Sequence, residues 1–138
     1  MKISTKGRYA LRVMLDLAQM GQDKFIPLSE ISERQEISVK YLEMIISMLC
    51  RAGLVLSLRG KSGGYKLAKP AKQYTVGSIL KIAEGSLAPV SCAEEGKNPC
   101  PRLECCMTFP VWSRLNRVID DYLESMTLED LLKKNYSG

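Results

Sequence analysis

Two short helical patterns, followed directly by a hairpin pattern, fill residues 27–68 of the chain. The first pattern predicts a helix that starts at Pro27 and ends near Gln35. The second predicts a helix that starts after its N-cap residue, Ser38, and runs to Arg51. Two short helices joined by a tight turn form a helix-turn-helix, a motif that places the start of its second helix in the major groove of DNA.

The hairpin consists of two segments in which apolar and polar side chains alternate about a glycine-rich turn. The segments are 55–59 and 64–68, and the turn is Gly60-Lys61-Ser62-Gly63. A hairpin in this position is the wing of a winged helix-turn-helix. Arg59 and Lys61 lie near its tip, and the Arg59 side chain is long enough to enter a minor groove. The predicted fold is therefore mainly α, with a small β-hairpin wing.

Three further helical patterns are present. A first helix is predicted from Thr5 to about Met20, and a linking helix from the N-cap Thr75 to Gly85. A long helix is predicted from Pro110 to about Met126. The first helix directs one apolar face inward and its polar residues elsewhere. Those polar residues are Arg8, Arg12, Asp16 and Gln19.

The long helix carries an apolar stripe with the spacing of a helix that pairs with another helix. The stripe consists of Val111, Leu115, Val118, Ile119, Tyr122, Leu123 and Met126. Such a stripe more often packs on its own domain, but the rest of this chain is too small to cover it well. We therefore predict a homodimer, which suits a near-palindromic operator of two half-sites.

The predicted organisation has four parts. Residues 1–72 form a winged helix-turn-helix DNA-binding domain, and 73–91 form the linking helix. Residues 92–106 form a cysteine loop, and 107–138 form the dimerisation helix with a C-terminal segment.

Positive charge is concentrated in the first half of the chain. Residues 1–72 contain 13 Lys and Arg against 6 Asp and Glu, whereas residues 73–138 contain 7 against 9. A basic half indicates a polyanionic partner, most commonly nucleic acid, although lysines can also serve only to keep a protein in solution.

The candidate contacts to double-stranded DNA on the second motif helix lie in its first turns. They are Ser38, Val39, Lys40, Tyr41 and Glu43. Lys40 and Tyr41 suit phosphates, and Glu43 can accept a hydrogen bond from a cytosine amino group. The alternative interpretation is a solvated helix face with one aromatic ring packed on a neighbour.

The sequence contains no histidine. Histidine-dependent nucleophile pairs, histidine general bases and histidine metal ligands are therefore excluded. The glycines at 60, 63 and 64 lack the spacing of a phosphate-binding loop. We predict that the protein is not an enzyme. The competing hypothesis, from a different functional class, is a thiol redox enzyme or metal-storage module that uses the cysteine loop.

No apolar run approaches the roughly 20 residues that a membrane helix needs. The opening residues 1–4 do not resemble a secretory signal. The sequence therefore predicts a cytoplasmic protein with no membrane partner.

Four of the five cysteines lie close together, in the pattern Cys92-x7-Cys100-x4-Cys105-Cys106. In a cytoplasmic chain, clustered thiols more often bind metal or sense redox state than form structural disulfides. Zinc usually shows paired C-x2-C elements, which are absent, whereas an iron–sulfur cluster tolerates looser spacing. An iron–sulfur cluster, a reactive disulfide, zinc and inert thiols all stay open from the residues alone. The separate Cys50 is predicted to be a small buried hydrophobic residue.

The chain resembles the Rrf2 family of bacterial transcriptional regulators along its length. The resemblance rests on the opening MKISTKGRYA, Tyr41-Leu42-Glu43 with Leu54-Val55, Arg59-Gly60-x-x-Gly63-Gly64-Tyr65-x-Leu67, and Cys106-Met107-Thr108-x-x-x-Trp112. It is nearest to the iron–sulfur cluster regulators of that family. The resemblance implies that Cys92, Cys100 and Cys106 hold a cluster of the 2Fe–2S type, and that the protein is a DNA-binding regulator switched by this cluster.

One position departs from the family pattern. The iron–sulfur regulators have a histidine three residues after the last cysteine, where this chain has Phe109. A fourth ligand must then come from Cys105, from Glu104 or from a carboxylate of a second subunit. Some relatives use an acidic residue near the first helix, but position 8 is Arg8. Other members of the family hold no cluster and respond to cysteine or sulfur supply, which is the alternative function for this chain.

Overall fold

Six α-helices and one two-stranded hairpin make up the part of the chain that the computed structural model describes, residues 2–97 and 100–134. The helices are α1 (Thr5–Met20), α2 (Leu28–Gln35), α3 (Val39–Arg51), α4 (Val76–Glu84), α5 (Phe109–Glu124) and α6 (Leu128–Leu132). The strands are β1 (Val55–Leu58) and β2 (Gly64–Leu67). Residues 1, 98–99 and 135–138 lie outside the described part. They include the middle of the predicted cysteine loop and the end of the predicted C-terminal segment.

Helix α1 is the centre of the hydrophobic core and has the predicted bounds. The Ser4 hydroxyl caps it by accepting a hydrogen bond from Gly7 N at 3.1 Å. The apolar face predicted for this helix is buried and includes Ala10, Val13, Met14 and Leu17. The same face includes Asp16, which is only 1% exposed, so its predicted place away from the core was wrong. Asp16 lies three residues after Val13, which brings it onto the edge of the buried face.

The helix-turn-helix is formed by α2 and α3. Helix α2 ends at Glu36, whose left-handed backbone (φ 53°) turns the chain sharply. Two residues later the Ser38 hydroxyl accepts a hydrogen bond from Tyr41 N at 3.2 Å and starts α3. One side of α3 is apolar and buried, and the opposite side faces solvent. The buried side consists of Leu42, Ile45, Ile46 and Leu49. The predicted mainly α fold with a hairpin wing is confirmed.

The wing is an antiparallel hairpin whose register pairs Val55 with Leu67 and Leu58 with Gly64. Each strand ends one residue before the predicted limit. Ile26 extends the sheet, because it exchanges two 2.8 Å backbone hydrogen bonds with Tyr65. Gly64 has φ 152° and lies so close to the Ile26 carbonyl that a Cβ would overlap it. A glycine is therefore required where the wing meets this extra segment.

Helix α5 leaves the core and α6 returns to it. Helix α5 begins one residue before the predicted Pro110 and ends two residues before the predicted Met126. None of its sixteen residues is buried. The chain then turns back, Leu128 N donates to Tyr74 O at 3.0 Å, and Leu128 is fully buried in the core. No helix among the described residues is long and apolar enough to cross a membrane.

Candidate nucleic-acid interface and cysteine segment

The first turns of α3 present the predicted DNA-contacting side chains to solvent. Ser38, Val39, Lys40 and Glu43 are all exposed. Because the Ser38 hydroxyl is engaged by Tyr41 N, this end of the helix is held in a defined position. The surface therefore offers a basic, an acidic and an apolar side chain within one helical turn.

Tyr41 differs from its neighbours because its ring is half-buried. The ring meets the edge of Tyr9 in α1, with centroids 5.6 Å apart and an interplanar angle of 83°. The Arg12 guanidinium lies 5.0 Å from the Tyr9 ring centroid on the same helix. The Tyr41 ring is therefore packed on a neighbouring aromatic ring, as the alternative to a DNA contact predicted. This packing fixes the start of α3 against α1.

The tip of the wing is exposed and basic. Arg59 and Lys61 both face solvent, on either side of Gly60, whose φ is 109°. Gly63 cannot carry a side chain here, because a Cβ would overlap the Leu58 carbonyl oxygen. The predicted basic tip is thus formed by a turn that glycines make possible.

Sequence reasoning missed two features of this interface. Met44, 48% exposed, follows Glu43 on the solvent face of α3 and extends that face by an apolar side chain. Arg34 and Gln35, near the end of α2, both donate hydrogen bonds to the buried Asp16 carboxylate. The sequence signal for the Asp16 contacts was the i, i+3 spacing of Val13 and Asp16. This spacing places Asp16 beside the buried face of α1, where a carboxylate needs a hydrogen-bonding partner.

The cysteines of the 92–106 segment lie at the surface. Cys92 is exposed in a short 3-10 turn, Ser91–Ala93, and Cys105 is exposed in another, Leu103–Cys105. Cys100 is exposed and Cys106 is half-buried. Cys50, predicted to be buried, is half-buried on α3, and burial raises the pKa of its thiol.

Cys106 lies directly before α5, and its environment favours the thiolate. Its Sγ lies 3.4 Å from Thr108 Oγ1. The pKa of the Cys106 thiol is lowered, first by hydrogen bonding to the Thr108 side chain and then by the backbone N–H groups of Thr108 and Phe109. A thiolate is the form of cysteine that binds metal.

Thiols at the surface fit an iron–sulfur cluster in their chemistry, because soft sulfur donors are the ligands that such clusters take. Within residues 2–97 and 100–134, however, no three Cys, Asp or Glu side chains converge to form a metal site. The cysteine thiols are therefore suitable donors for an iron–sulfur cluster. To hold such a cluster, the segment would have to bring its thiols together.

The cysteine segment is joined to α5 along the chain and also contacts it through one hydrogen bond. At its end, Cys106 contacts Thr108, the residue before the helix. Near its start, the carbonyl of Ala93, next to Cys92, accepts a hydrogen bond from Asn116 Nδ2 at 3.4 Å. Between the segment, α4 and α5 lies a polar cavity of about 670 Å³. The segment is thus attached to α5 but has space beside it.

The apolar stripe of α5 faces solvent along most of its length. Its exposed side chains are Val111 (56%), Leu115 (37%), Val118 (56%) and Tyr122 (54%). The opposite side of α5 is polar and faces α4, where Lys81 Nζ lies 2.5 Å from Asp120 Oδ1. An apolar helix face of this kind on a water-exposed surface indicates an interaction site.

Comparison with known proteins places these features in one family. The family model of Rrf2, described as an iron-dependent transcriptional regulator, matches residues 3–134. An HTH-type transcriptional regulator of Neisseria meningitidis is 44% identical over all of this chain and 92% of its own length.

Two solved structures have the same fold. The global cysteine regulator CymR of B. subtilis superposes with a TM-score of 0.79 and 37% identity, over 97% of this chain and 98% of that one. The regulator IscR of T. potens superposes with a TM-score of 0.77 and 39% identity, over 99% of this chain and 89% of that one.

Proposed function

The chain belongs to the Rrf2 family of transcriptional regulators, and within that family we propose that it is a homodimer whose choice of DNA operator is switched by an iron–sulfur cluster. Cys92, Cys100 and Cys106 are the proposed ligands. The observation that carries this proposal is the position of the three thiols. They are exposed or half-buried in a segment that is bonded near its start to Asn116 of α5, the helix with the exposed apolar stripe, and that leads along the chain into the first residue of this helix.

DNA reading is proposed for the two exposed elements of the winged domain. The start of α3 enters the major groove, where Glu43 accepts from a cytosine amino group and Lys40 binds a phosphate. Arg59, at the tip of the wing, enters the adjacent minor groove, with Lys61 on the backbone beside it. The contact of Tyr41 with Tyr9 supports this assignment, because it holds the reading end of α3 against α1.

The homodimer is proposed to form through α5. Its stripe supplies four apolar side chains that are 37–56% exposed in the single chain. Burying them against the same helix of a second subunit removes this apolar surface from water. Two-fold pairing also presents two winged domains to the two halves of a near-palindromic operator.

The three thiols are proposed to hold a 2Fe–2S cluster, whose chemistry when bound is reversible one-electron transfer and loss under oxidative conditions. Cys105 and Glu104 lie in the turn next to Cys106 and are the two candidates for a fourth ligand within this chain. The Thr108 hydroxyl beside Cys106 supports the thiolate form of that ligand.

The thiols communicate with α5 through the chain's own contacts. Gathering Cys92 and Cys106 around one cluster would move Ala93, whose carbonyl is bonded to Asn116 of α5, and Thr108, which directly precedes α5. A shift of α5 changes how the two winged domains of a dimer are spaced. Operator choice then follows from the difference in DNA affinity between the two states, for which a coupling of about 1–3 kcal/mol suffices.

Cluster binding is tested by anaerobic purification followed by a visible spectrum and assays of iron and labile sulfide. We expect a coloured protein with about two irons and two sulfides per chain, and loss of both in Cys92→Ala, Cys100→Ala and Cys106→Ala. Cys50→Ala is the matched control, because Cys50 lies on α3 outside the segment. About four irons and four sulfides per chain would keep the sensor but change the cluster type. A colourless wild-type protein without iron would contradict the proposal.

DNA binding is tested by the salt dependence of affinity for a duplex selected by the wild-type protein from a random library. With about four phosphates bound by each protomer, log K against log salt is expected to have a slope near −7. A slope near zero would contradict the assignment of the interface.

The second candidate is a cluster-free regulator of cysteine metabolism. It is favoured by the similarity to CymR, which is described as a global cysteine regulator, and by the absence of a gathered metal site among the described residues. This candidate predicts iron-free protein that binds DNA and changes affinity with thiol oxidation. The metal assay therefore separates the two.

A further inference from the structure

Two glutamates join three helices end to end. Glu84 is the last residue of α4, and its carboxylate reaches the N-terminus of α1. Glu124 is the last residue of α5, and its carboxylate reaches the N-terminus of α4. The N-terminus of a helix is the positive end of its dipole, so each carboxylate stabilises the helix end that it contacts. The result is a continuous link from α5 through α4 to α1.

Glu84 binds the residue that caps α1. Its Oε1 accepts hydrogen bonds from Ser4 N at 2.9 Å and from Ser4 Oγ at 2.6 Å. The same hydroxyl accepts from Gly7 N at 3.1 Å, so Ser4 connects the carboxylate to the first turn of α1. A change in the position of α4 is thereby passed to the start of α1.

Glu124 binds the residue that caps α4 in the same way. Its Oε2 accepts a hydrogen bond from Thr75 Oγ1 at 2.7 Å, and that hydroxyl accepts from Ser78 N at 3.0 Å. Its Oε1 accepts from Lys81 Nζ at 3.1 Å, which adds a charged contact to the same helix. Helix α5 is thus fixed at both the cap and the second turn of α4.

Each carboxylate lies against a buried glycine of the helix that it caps. A Cβ at Gly7 would overlap Glu84 Oε1, and a Cβ at Gly77 would lie 2.5 Å from Glu124 Oε1. Gly7 lies in the first turn of α1 and Gly77 in the first turn of α4. A glycine at each position leaves the space into which the carboxylate fits.

The geometry points to Glu84 and Glu124 as positioning residues that fix the winged domain relative to α5 and so set the half-site spacing that the dimer accepts. This inference rests on the proposed function, since it requires a dimer that reads two half-sites. The path reaches the DNA interface because α1 contacts the start of α3 through Tyr9 and Tyr41. It starts at α5, to which the cysteine segment is attached.

The experiment compares DNA affinities of purified full-length proteins. The probes are a duplex selected by the wild type from a random library, the same duplex with one base pair added or removed between its half-sites, and a single half-site. We expect the wild type to prefer its own spacing by about tenfold, a typical coupling between sites. Glu84→Ala and Glu124→Ala are expected to reduce that preference to about threefold or less, with half-site affinity changed by less than about twofold.

Two further variants keep the test decisive if the alanine variants fold poorly. Glu84→Gln retains Oε1 as an acceptor for both Ser4 bonds and is expected to keep the wild-type spacing preference. Gly7→Ala favours the helix but displaces the Glu84 carboxylate, so it is expected to lose the preference. Glu129→Ala is the matched control, because Glu129 is a carboxylate whose partner, Lys133, is an exposed side chain just after α6.

The outcomes are distinguishable. An unchanged spacing preference in Glu84→Ala and Gly7→Ala, with only a lower melting temperature, would overturn the inference and leave a structural role. A wild-type protein that selects no two-half-site duplex would instead contradict the proposed function.

Discussion

Arg34 binds Asp16 through two nearly parallel hydrogen bonds, from Nη2 to Oδ1 at 2.8 Å and from Nε to Oδ2 at 3.0 Å. This is the bidentate geometry in which arginine binds a carboxylate most strongly. Asp16 is 1% exposed and Arg34 is 34% exposed, so the acid is inside the protein and the base is at its edge. The pair fixes α2 to α1 close to the turn that leads to α3, the helix proposed to read DNA.

Removing the buried acid should destabilise the protein. We expect Asp16→Ala to lower the free energy of unfolding by about 2 kcal/mol. This is less than the roughly 3–5 kcal/mol typical of a broken buried pair, because Arg34 can regain water. Urea unfolding of Asp16→Ala, Arg34→Ala and the double variant measures the interaction as a double-mutant cycle. Glu30→Ala is the control, because its 3.4 Å pair with Arg34 is exposed, and a destabilisation as large as that of Asp16→Ala would contradict this explanation.

Lys40 and Glu43 should affect DNA binding in different ways. Lys40→Ala is expected to weaken all duplexes similarly and to reduce the salt slope by about 1 for each phosphate that the protein no longer binds. Glu43→Ala is expected to change which base is preferred at one position while leaving the salt slope nearly unchanged. Fluorescence anisotropy titrations with selected and base-substituted duplexes measure both. Lys133→Ala, just after α6, serves as the control, and an equal effect of this variant would place the interface elsewhere.

A charge placed in the apolar stripe should separate the subunits. Val118 is 56% exposed in the single chain, and we expect Val118→Lys to shift the dimer to monomer at micromolar concentration, because a lysine would be buried without a partner. Sedimentation equilibrium measures the shift. Arg114→Ala, on another side of α5, should leave the dimer intact. A dimeric Val118→Lys protein would show that α5 is not the interface.

The fourth ligand of the proposed cluster can be assigned by comparing variants of Cys105 and Glu104, the two residues before Cys106. We expect Cys105→Ser to change the visible spectrum and to shorten the lifetime of the cluster in air, because a soft thiolate is replaced by a hydroxyl. Glu104→Gln lies in the same turn and is expected to leave both unchanged. The reverse result would assign the ligand to Glu104.

The capping box of α6 should make the stability of the protein depend on pH in the acidic range. Thr127 N donates to Asp130 Oδ2 at 3.0 Å, and this bond is the main cause that lowers the pKa of Asp130 below its ordinary 3.8. The carboxylate then contributes stability fully above its unfolded pKa, and loses it as the pH falls through the lower folded value. Melting temperatures of the wild type and Asp130→Asn should therefore converge as the pH falls below about 3.8. A difference that stays constant down to about pH 2 would contradict this.

Local sequence signals predicted most of the fold. Ser38, Thr75 and the glycines of the wing mark element boundaries because capping and turn geometry depend on a few adjacent residues. The end of α5 was misplaced because Met126 continues the apolar spacing, although the chain turns back two residues earlier to bury Leu128. Tertiary packing determined that boundary, and no local pattern records it.

The candidate site was predictable in composition but not in arrangement. The cysteine spacing marks a thiol-rich segment, but only the folded structure brings Ala93 against Asn116. The contacts of Glu84 with Ser4 and of Glu124 with Thr75 join residues 80 and 49 positions apart. Local sequence patterns carry no information about contacts between residues so far apart in the chain. The link between the helices was therefore not predictable from the sequence.

Helix α5 has no residue buried by its own chain, and this has a consequence for the cell. On the proposed dimer, a newly synthesised subunit carries uncovered apolar surface until it meets a second one. Proteases and chaperones act on such unpaired chains, and pairing depends on how many copies are present. The lifetime of the regulator is then tied to its own abundance.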